Sequence, residues 1–292
     1  MRGNSTSMST LAPRAKGLVG GAFALLLGAT AAFAAGEAVH IDRQSWSFAG
    51  INGRFDRAQL QRGFQVYKEV CSTCHGLKRI NFRNLAEPGG PEFPAEGVKG
   101  LAESYRVEDG PNDQGKMFQR PARPADAIPS PYKNEQEARA VQNGAYPPDL
   151  SLITKARSAG ENASVFATVG SMLRDIPGGY QEGGADYVYA LLTGYANPPA
   201  DMKLAQGMTY NRAFPGHQIA MVPPLQPGLI KYEDGTQGTV EQYAKDVTAF
   251  LAWAGDPKLE ERKRMGLLVL IYLVITAGLV YAAKRRLWSK VH

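Results

Sequence analysis

The chain has 292 residues, 44% of them hydrophobic, with 32 glycines, 19 prolines and a formal charge of +6. That length allows one substantial core with attachments, and Gly and Pro, together about a sixth of the chain, point to a helical domain with ordered turns and long loops rather than a compact bundle. Setting aside the three basic residues of 1–35, and the seven basic and two acidic residues of 260–292, leaves 23 basic against 25 acidic residues, a net of −2. That middle carries no basic face interleaved with aromatics, which excludes a nucleic-acid binder, while a weak attraction for a basic protein partner fits it.

The N-terminus reads as an export signal. Arg14 and Lys16 precede the apolar run GLVGGAFALLLGATAAF, and Ala32-Phe33-Ala34 gives the small-x-small pattern of a cleavage site. Ala35 blurs where the cut falls. The competing reading is an anchor that stays attached, but the run is short, rich in Gly and Ala, and followed at once by polar chain. Residues 1–35 are therefore set apart from the domain, which is expected to run over 36–259.

Next comes FDRAQLQRGFQVYKEV, with Leu60, Phe64 and Tyr67 at helical spacing. The helix leads into VCSTCHG, which holds both cysteines of the chain, Cys71 and Cys74. Cysteines three apart read as a disulfide, as half of a zinc site, as a thioredoxin-like redox pair or as a covalent haem anchor. Zinc needs two more good ligands, and no second cysteine pair exists. A thioredoxin-like site needs a βαβ unit, whereas a helix precedes this pair. His75 follows directly, and C-x-x-C-H is the signature of c-type haem attachment. The two thiols lie on one helical face and add to the vinyl groups at one edge of the porphyrin, and the histidine supplies imidazole to the iron. One motif implies one haem c, and it consumes all the thiol chemistry of the chain.

His75 gives one axial ligand; the other is His, Met or absent. His292 lies beyond the C-terminal apolar run, and His40 lies near the start of the mature chain, where anchoring is poor. Met117, Met172, Met202, Met208 and Met221 remain, with His217. Met117, in GKMFQRP, belongs either to a flap or to a packed loop. Met221 stands in PGHQIAMVPPL, where Pro223 and Pro224 stiffen the backbone behind it. A rigid presenter suits an axial sulfur, and a soft methionine ligand raises the haem potential. His217 competes with it, and for any single methionine the commoner role is core filler. Arg157, in PPDLSLITKAR, reads equally as a propionate partner and as a solvated arginine at a helix end. Tyr195 follows the amphipathic segment DYVYALLTGY and either lines the haem crevice or caps that helix. The Gly-rich stretch 158–184 reads as a surface excursion.

The chain closes on MGLLVLIYLVITAGLVYAA, residues 265–283, an uncharged run of 19. As a helix it spans roughly 28 Å, against about 30 Å of bilayer hydrocarbon. Tyr281 and Trp288 sit near its far end as interface aromatics do. A single transmembrane anchor over 260–292 follows. Basic residues flank the run on both sides and barely orient it. The export signal does orient it, placing the domain in the periplasm of a bacterium, anchored in the inner membrane, with a short cytoplasmic tail.

Several blocks in this order carry a resemblance: WSFAGINGRFDRAQLQRGFQVYKEVCSTCHGLK, DGPNDQGKMFQRPARPAD, NGAYPPDLSLITKAR, GADYVYALLTGYANPP, YNRAFPGHQIAMVPPL and DVTAFLAWAGDPKLEERKRMG before the anchor. Together they resemble the cytochrome c1 family, the haem subunits of cytochrome bc1 complexes, in its alphaproteobacterial form. The resemblance implies a mainly α fold, a class I cytochrome c-like helical domain with long loop insertions, and one C-terminal transmembrane helix. It implies that Cys71 and Cys74 form the thioethers, that His75 and Met221 are the axial ligands, that Arg157 meets a haem propionate and that Tyr195 lies near the haem. It further implies an electron carrier rather than an enzyme alone, taking electrons from the Rieske iron–sulfur protein and passing them to a soluble or membrane-bound cytochrome c, beside cytochrome b in a dimeric complex embedded in inner-membrane lipid. Some bacterial members carry an extra disulfide near the distal ligand; this chain has no cysteine for one.

Two other classes share features of the sequence. A haem c subunit of a terminal oxidase or nitric oxide reductase also has C-x-x-C-H and an anchor, but the C-terminal place of the anchor and the PPDLS and AMVPPL segments oppose it. A tethered haem sensor needs an open or displaceable sixth position.

Overall fold

The computed structural model describes residues 39–157, 170 and 183–289. The expected signal segment, Met172, His292 and nearly all of the expected excursion over 158–184 lie outside the described residues. In chain order the elements are α1 (Arg57–Glu69), a 3-10 turn (Cys71–Thr73), β1 (Leu77–Asn81), a 3-10 helix (Phe82–Ala86) and α2 (Ala95–Glu103). There follow β2 (Arg106–Asp109), β3 (Phe118–Pro121), β4 (Ala127–Ile128), α3 (Glu135–Val141), a 3-10 turn (Leu150–Leu152) and α4 (Ile153–Ala156). The last part holds α5 (Gly183–Thr193), β5 (Thr209–Tyr210), β6 (Gln218–Ile219), α6 (Val240–Gly255) and α7 (Leu259–Trp288). The fold is mainly helical with long loops, as expected, and among the described residues the strands form three small antiparallel pairs: β1 with β4, β2 with β3, β5 with β6.

The centre is the crossing of α1 and α6. Asp56 caps α1 by accepting from the Gln59 amide, and Thr239 caps α6 by accepting from that of Gln242. Leu60, Gly63, Phe64 and Tyr67 form the buried stripe of α1. It meets α6, which is buried almost all round from Tyr243 to Ala254. At the contact the two backbones nearly touch: a Cβ on Gly63 would lie 2.1 Å from the Asp246 carbonyl oxygen. Phe250 fills the angle, its ring 5.6 Å from Phe64, 5.9 Å from Tyr67 and 5.5 Å from Trp253. Helix α5 closes the other side. Its second residue, Gly184, sits so near α4 that a Cβ would fall 1.7 Å from the Thr154 carbonyl oxygen.

The long insertion over 77–141 packs outside this crossing. Arg120 ties the β2–β3 ribbon to the turn before β4, pairing with Asp109 and donating to both carboxylate oxygens of Asp126, at 2.6 and 3.0 Å.

Helix α7 is bolted to the domain at its first turns. The Glu260 carboxylate accepts two bonds from Arg57, at 2.8 and 2.9 Å, and one from the Phe55 amide at 2.9 Å. The Lys263 ammonium donates to the carbonyls of Phe48 and Gly50, at 2.7 and 2.5 Å. Beyond Met265 the helix leaves the domain, and its apolar side chains stand exposed. At 30 residues it is long and apolar enough to cross a membrane, and none of its most apolar stretch is buried within the chain. A buried core helix, the competing reading of this run, is thereby excluded.

Candidate haem-binding site

The cysteines lie where α1 ends. The last carbonyls of a helix lack partners within it, and here Ser72 Oγ donates to the Lys68 carbonyl and Thr73 Oγ1 to that of Val70, both at 2.7 Å. The chain tightens into the 3-10 turn, and the Cys71 carbonyl accepts from the amides of Cys74 (3.1 Å) and His75 (2.9 Å). The pair sits at the end of a helix, as expected: Cys71 opens a 3-10 turn just past α1, and Cys74 closes it. One 3-10 turn is three residues, so Cys74 follows Cys71 by a single turn. Both thiols are free. Burial, and the neighbouring Cys74 thiol, push the Cys71 thiol up to about 12. Cys74 Sγ accepts from Gln142 Nε2 at 3.5 Å, and the same amide donates to the Tyr132 hydroxyl at 2.7 Å. Among the described residues no group of three or more His, Cys, Asp or Glu side chains gathers to hold a metal ion.

His75 is oriented from across the chain. Its Nδ1 lies 2.7 Å from the Pro148 carbonyl oxygen. A carbonyl can only accept, so Nδ1 carries the proton and Nε2 keeps its lone pair. Burial lowers the pKa of the imidazole, outweighing Pro148 and Asp149, which favour the charged form. The ring is thus neutral and ready to ligate through Nε2.

The segment that supplies this carbonyl is latched to the chain after the motif. Asp149 Oδ2 accepts from the Lys78 amide at 2.9 Å, Ser151 Oγ from that of Arg79 at 3.1 Å, and the Gly76 carbonyl from the Leu150 amide at 2.9 Å. Gly76 is closely enclosed: a Cβ would lie 3.1 Å from Asp149 Oδ2 and 3.2 Å from Ser130, tighter than most Cβ contacts. Tyr67 adds a bond from its hydroxyl to the His75 carbonyl at 3.2 Å. In the sequence alone, PPDLS is legible only within a block that carries the family resemblance. Its work in the structure is to hold the imidazole, and Asp149 and Ser151 behind the two prolines are the visible trace of it.

The second half of the site is the stretch that carries Met221, half-buried two residues beyond β6. Tyr195, two residues past α5, donates its hydroxyl to the Met221 carbonyl at 3.1 Å, and burial raises its phenol well above the ordinary value. Two roles were open to Tyr195, lining the haem crevice or capping α5; among the described residues its hydroxyl bonds the backbone of the methionine rather than the end of α5. Behind Met221, Leu225 is buried, and Ile230 is fastened through its amide and carbonyl to the Tyr243 hydroxyl on α6. Arg62 on α1 holds the following loop, donating to Asp246 at 2.9 Å and Asp234 at 2.8 Å. A cleft of about 340 Å³ opens between Glu69, Val70 and Thr73 on one side and Pro224, Leu229 and Ile230 on the other. The cysteine turn and the chain behind Met221 therefore face a common space.

The other candidates fall elsewhere. His217 adopts a left-handed conformation (φ 58°) and spends Nδ1 on the Asn211 carbonyl at 3.2 Å, within the β5–β6 turn. Met117 is 54% exposed at the tip of the β2–β3 ribbon, and Met208 is also exposed. His40 is exposed beside Asp42. Arg157 is exposed at the end of α4; burial raises the Tyr187 phenol above its ordinary value, and Arg157 lies near enough to oppose that rise in part. Among the described residues no hydrogen bond ties its guanidinium to the 71–75 turn.

This arrangement can be set beside known proteins. Residues 46–291 match the model of the Cytochrome C1 family. The chain belongs to the cytochrome c1 family. A "Cytochrome b/c1" of Bradyrhizobium diazoefficiens is 52% identical over 248 residues, which is 85% of this chain but 35% of that longer protein. Cytochrome c1 of Blastochloris viridis is 48% identical, with 88% of each chain covered. A mitochondrial relative from Solanum tuberosum, "Cytochrome c1-2, heme protein", is 42% identical over 93% of this chain and 95% of its own. The matched span takes in both halves of the site and α7.

Proposed function

We propose that this chain is the membrane-anchored electron-carrying subunit of a cytochrome bc1 complex, holding one haem c. The observation that carries the reading is the 71–75 turn: two free thiols one 3-10 turn apart, then an imidazole whose Nδ1 is engaged by the Pro148 carbonyl. The donor set fits the group. Cys71 and Cys74 would hold it through thioethers, His75 Nε2 and the Met221 sulfur would ligate the iron, and Arg157 would face a propionate. Family membership and the names of the relatives, one a heme protein and one a cytochrome b/c1, support the same reading.

A bound haem supplies a one-electron Fe(III)/Fe(II) couple. The chain's residues set the conditions for it. The Pro148 carbonyl and the Tyr67 hydroxyl fix the His75 segment, and Tyr195 fixes the Met221 backbone, so ligand movement on reduction is small. Thioethers at Cys71 and Cys74 would retain the cofactor independently of Met221. The electron arrives from the Rieske iron–sulfur protein and leaves to a soluble or membrane-bound cytochrome c, with cytochrome b as neighbour in a dimeric complex. Residues 1–35 are removed on export, 36–259 stand in the periplasm, and 260–292 anchor the chain in the inner membrane.

The test is a haem stain on a denaturing gel, with an alkaline pyridine spectrum for stoichiometry. The wild-type chain is expected to carry one haem through denaturation, Cys74→Ala to retain a weaker signal, and Cys71→Ala/Cys74→Ala to lose it. A wild-type band without haem ends the reading.

A further inference from the structure

Asn211, bridged to the tyrosine that bonds Met221, has both polar atoms of its side chain bonded to the backbone around it. It is 0% exposed. Its Nδ2 donates to the Leu191 carbonyl at 2.8 Å, and its Oδ1 accepts from the amides of Ala213 (2.9 Å) and Phe214 (3.2 Å). These partners settle which end of the amide is oxygen, since flipping it would set oxygen against a carbonyl and N–H against N–H. Leu191 lies in the last turn of α5, where carbonyls have no helical partner, so the Asn211 side chain terminates that helix. Its backbone serves the hairpin: the amide donates to the His217 carbonyl at 3.0 Å, and the residue pairs with Tyr195 in an antiparallel bridge. Gly194 makes room for this, because a Cβ there would lie 2.9 Å from Asn211 Oδ1.

We propose that Asn211 is the positioning residue for the axial methionine, joining the end of α5, the Tyr195 bridge and the β5–β6 turn into one unit that holds Met221. The inference rests on Met221 being the distal ligand. The path is short. Asn211 sets the register between Tyr195 and the hairpin, Tyr195 bonds the Met221 carbonyl, and β6 ends two residues before Met221. A carboxylate at 211 keeps the bonds from Ala213 and Phe214 but turns an oxygen toward the Leu191 carbonyl. The α5 end and the turn then separate, and the methionine spends more time off the iron. Each bond of this kind lost shifts such an equilibrium by about five- to tenfold.

The experiment uses the full chain in its membrane complex and compares Asn211→Asp, Tyr195→Phe, the double variant and Met221→Leu. The readouts are the near-infrared sulfur–iron band, the midpoint potential, and carbon monoxide binding to the reduced form. Asn211→Asp and Tyr195→Phe are expected to weaken the band, lower the potential and increase carbon monoxide binding about tenfold, with the double variant showing less than the sum because both act on one path. A lower melting temperature with an unchanged band and potential assigns Asn211 a merely structural role and overturns the proposal. If Asn211→Asp does not accumulate, Tyr195→Phe decides: an intact band and no added carbon monoxide binding overturn the path. Met221→Leu separates the two levels, since a band that survives in it removes the ligand assignment itself.

Discussion

Met221→Leu is expected to lower the haem midpoint potential by roughly a few hundred millivolts, within the ~0.8 V that axial ligation spans, while leaving the haem attached. The thioether sulfur is a soft ligand that favours the reduced iron, and leucine offers no donor in its place. The substitution is gentle to the fold, because Leu and Met differ little in volume and such exchanges cost under about 1.5 kcal/mol. Tyr195 bonds the main-chain carbonyl of residue 221, which the variant retains. The strap should therefore keep its course, and the loss should be confined to the sulfur–iron bond. A redox titration with the near-infrared spectrum measures this directly. An unchanged potential with an unchanged band would show that another residue is the ligand, and a gel band that loses its haem stain would show that Cys71 and Cys74 are not what retains the cofactor.

The parts of this molecule that were legible in the sequence are those encoded by local patterns. Leu60, Phe64 and Tyr67 mark the buried stripe of α1 because helical period and burial coincide there. The C-x-x-C-H spacing carries its chemistry in five consecutive residues, and the uncharged run of 265–283 announces α7 by composition alone. What stayed hidden depends on partners far away in the chain. The carbonyl that orients His75 belongs to Pro148, 73 residues on, and a main-chain oxygen leaves no mark in sequence. Asn211 sits in a loop among Arg, Pro and Gly, where an asparagine ordinarily serves a turn at the surface; only the packing of α5 against the hairpin buries it. The strand pairs have two to five residues each, too short for an alternating pattern to be read. Glu260 and Lys263 looked like flanking charge on an anchor. Their bonds to Arg57 and to the Phe48 and Gly50 carbonyls instead make the start of α7 part of the domain.

Gly63→Val is expected to prevent accumulation of the folded, haem-loaded chain. A Cβ at this position would lie 2.1 Å from the Asp246 carbonyl oxygen, and 2.7 Å from both the Asp246 carbonyl carbon and Phe250 Cβ. Two of those three atoms are backbone, so no rotamer change relieves the overlap, and α1 and α6 must move apart. Overpacking of a core usually costs about 1–3 kcal/mol when side chains can yield. Here separation also loosens the Phe64 and Tyr67 contacts with Phe250 and pulls Arg62 from the buried Asp246. Breaking a buried ion pair alone costs about 3–5 kcal/mol, against a total domain stability of about 5–15 kcal/mol. The damage reaches the site, because α1 carries the 71–75 turn at its end and Tyr67 bonds the His75 carbonyl. Gly97, in α2 with nothing within 4 Å of its Cβ position, is the matched control. There Gly97→Ala removes only backbone freedom and should stabilise by about 0.5–1 kcal/mol. Holoprotein yield and thermal unfolding of the two variants beside wild type measure the contrast. A Gly63→Val chain that accumulates with bound haem and melts within a few degrees of wild type would mean that the α1–α6 contact is not the close crossing on which the presentation of the cysteine turn depends.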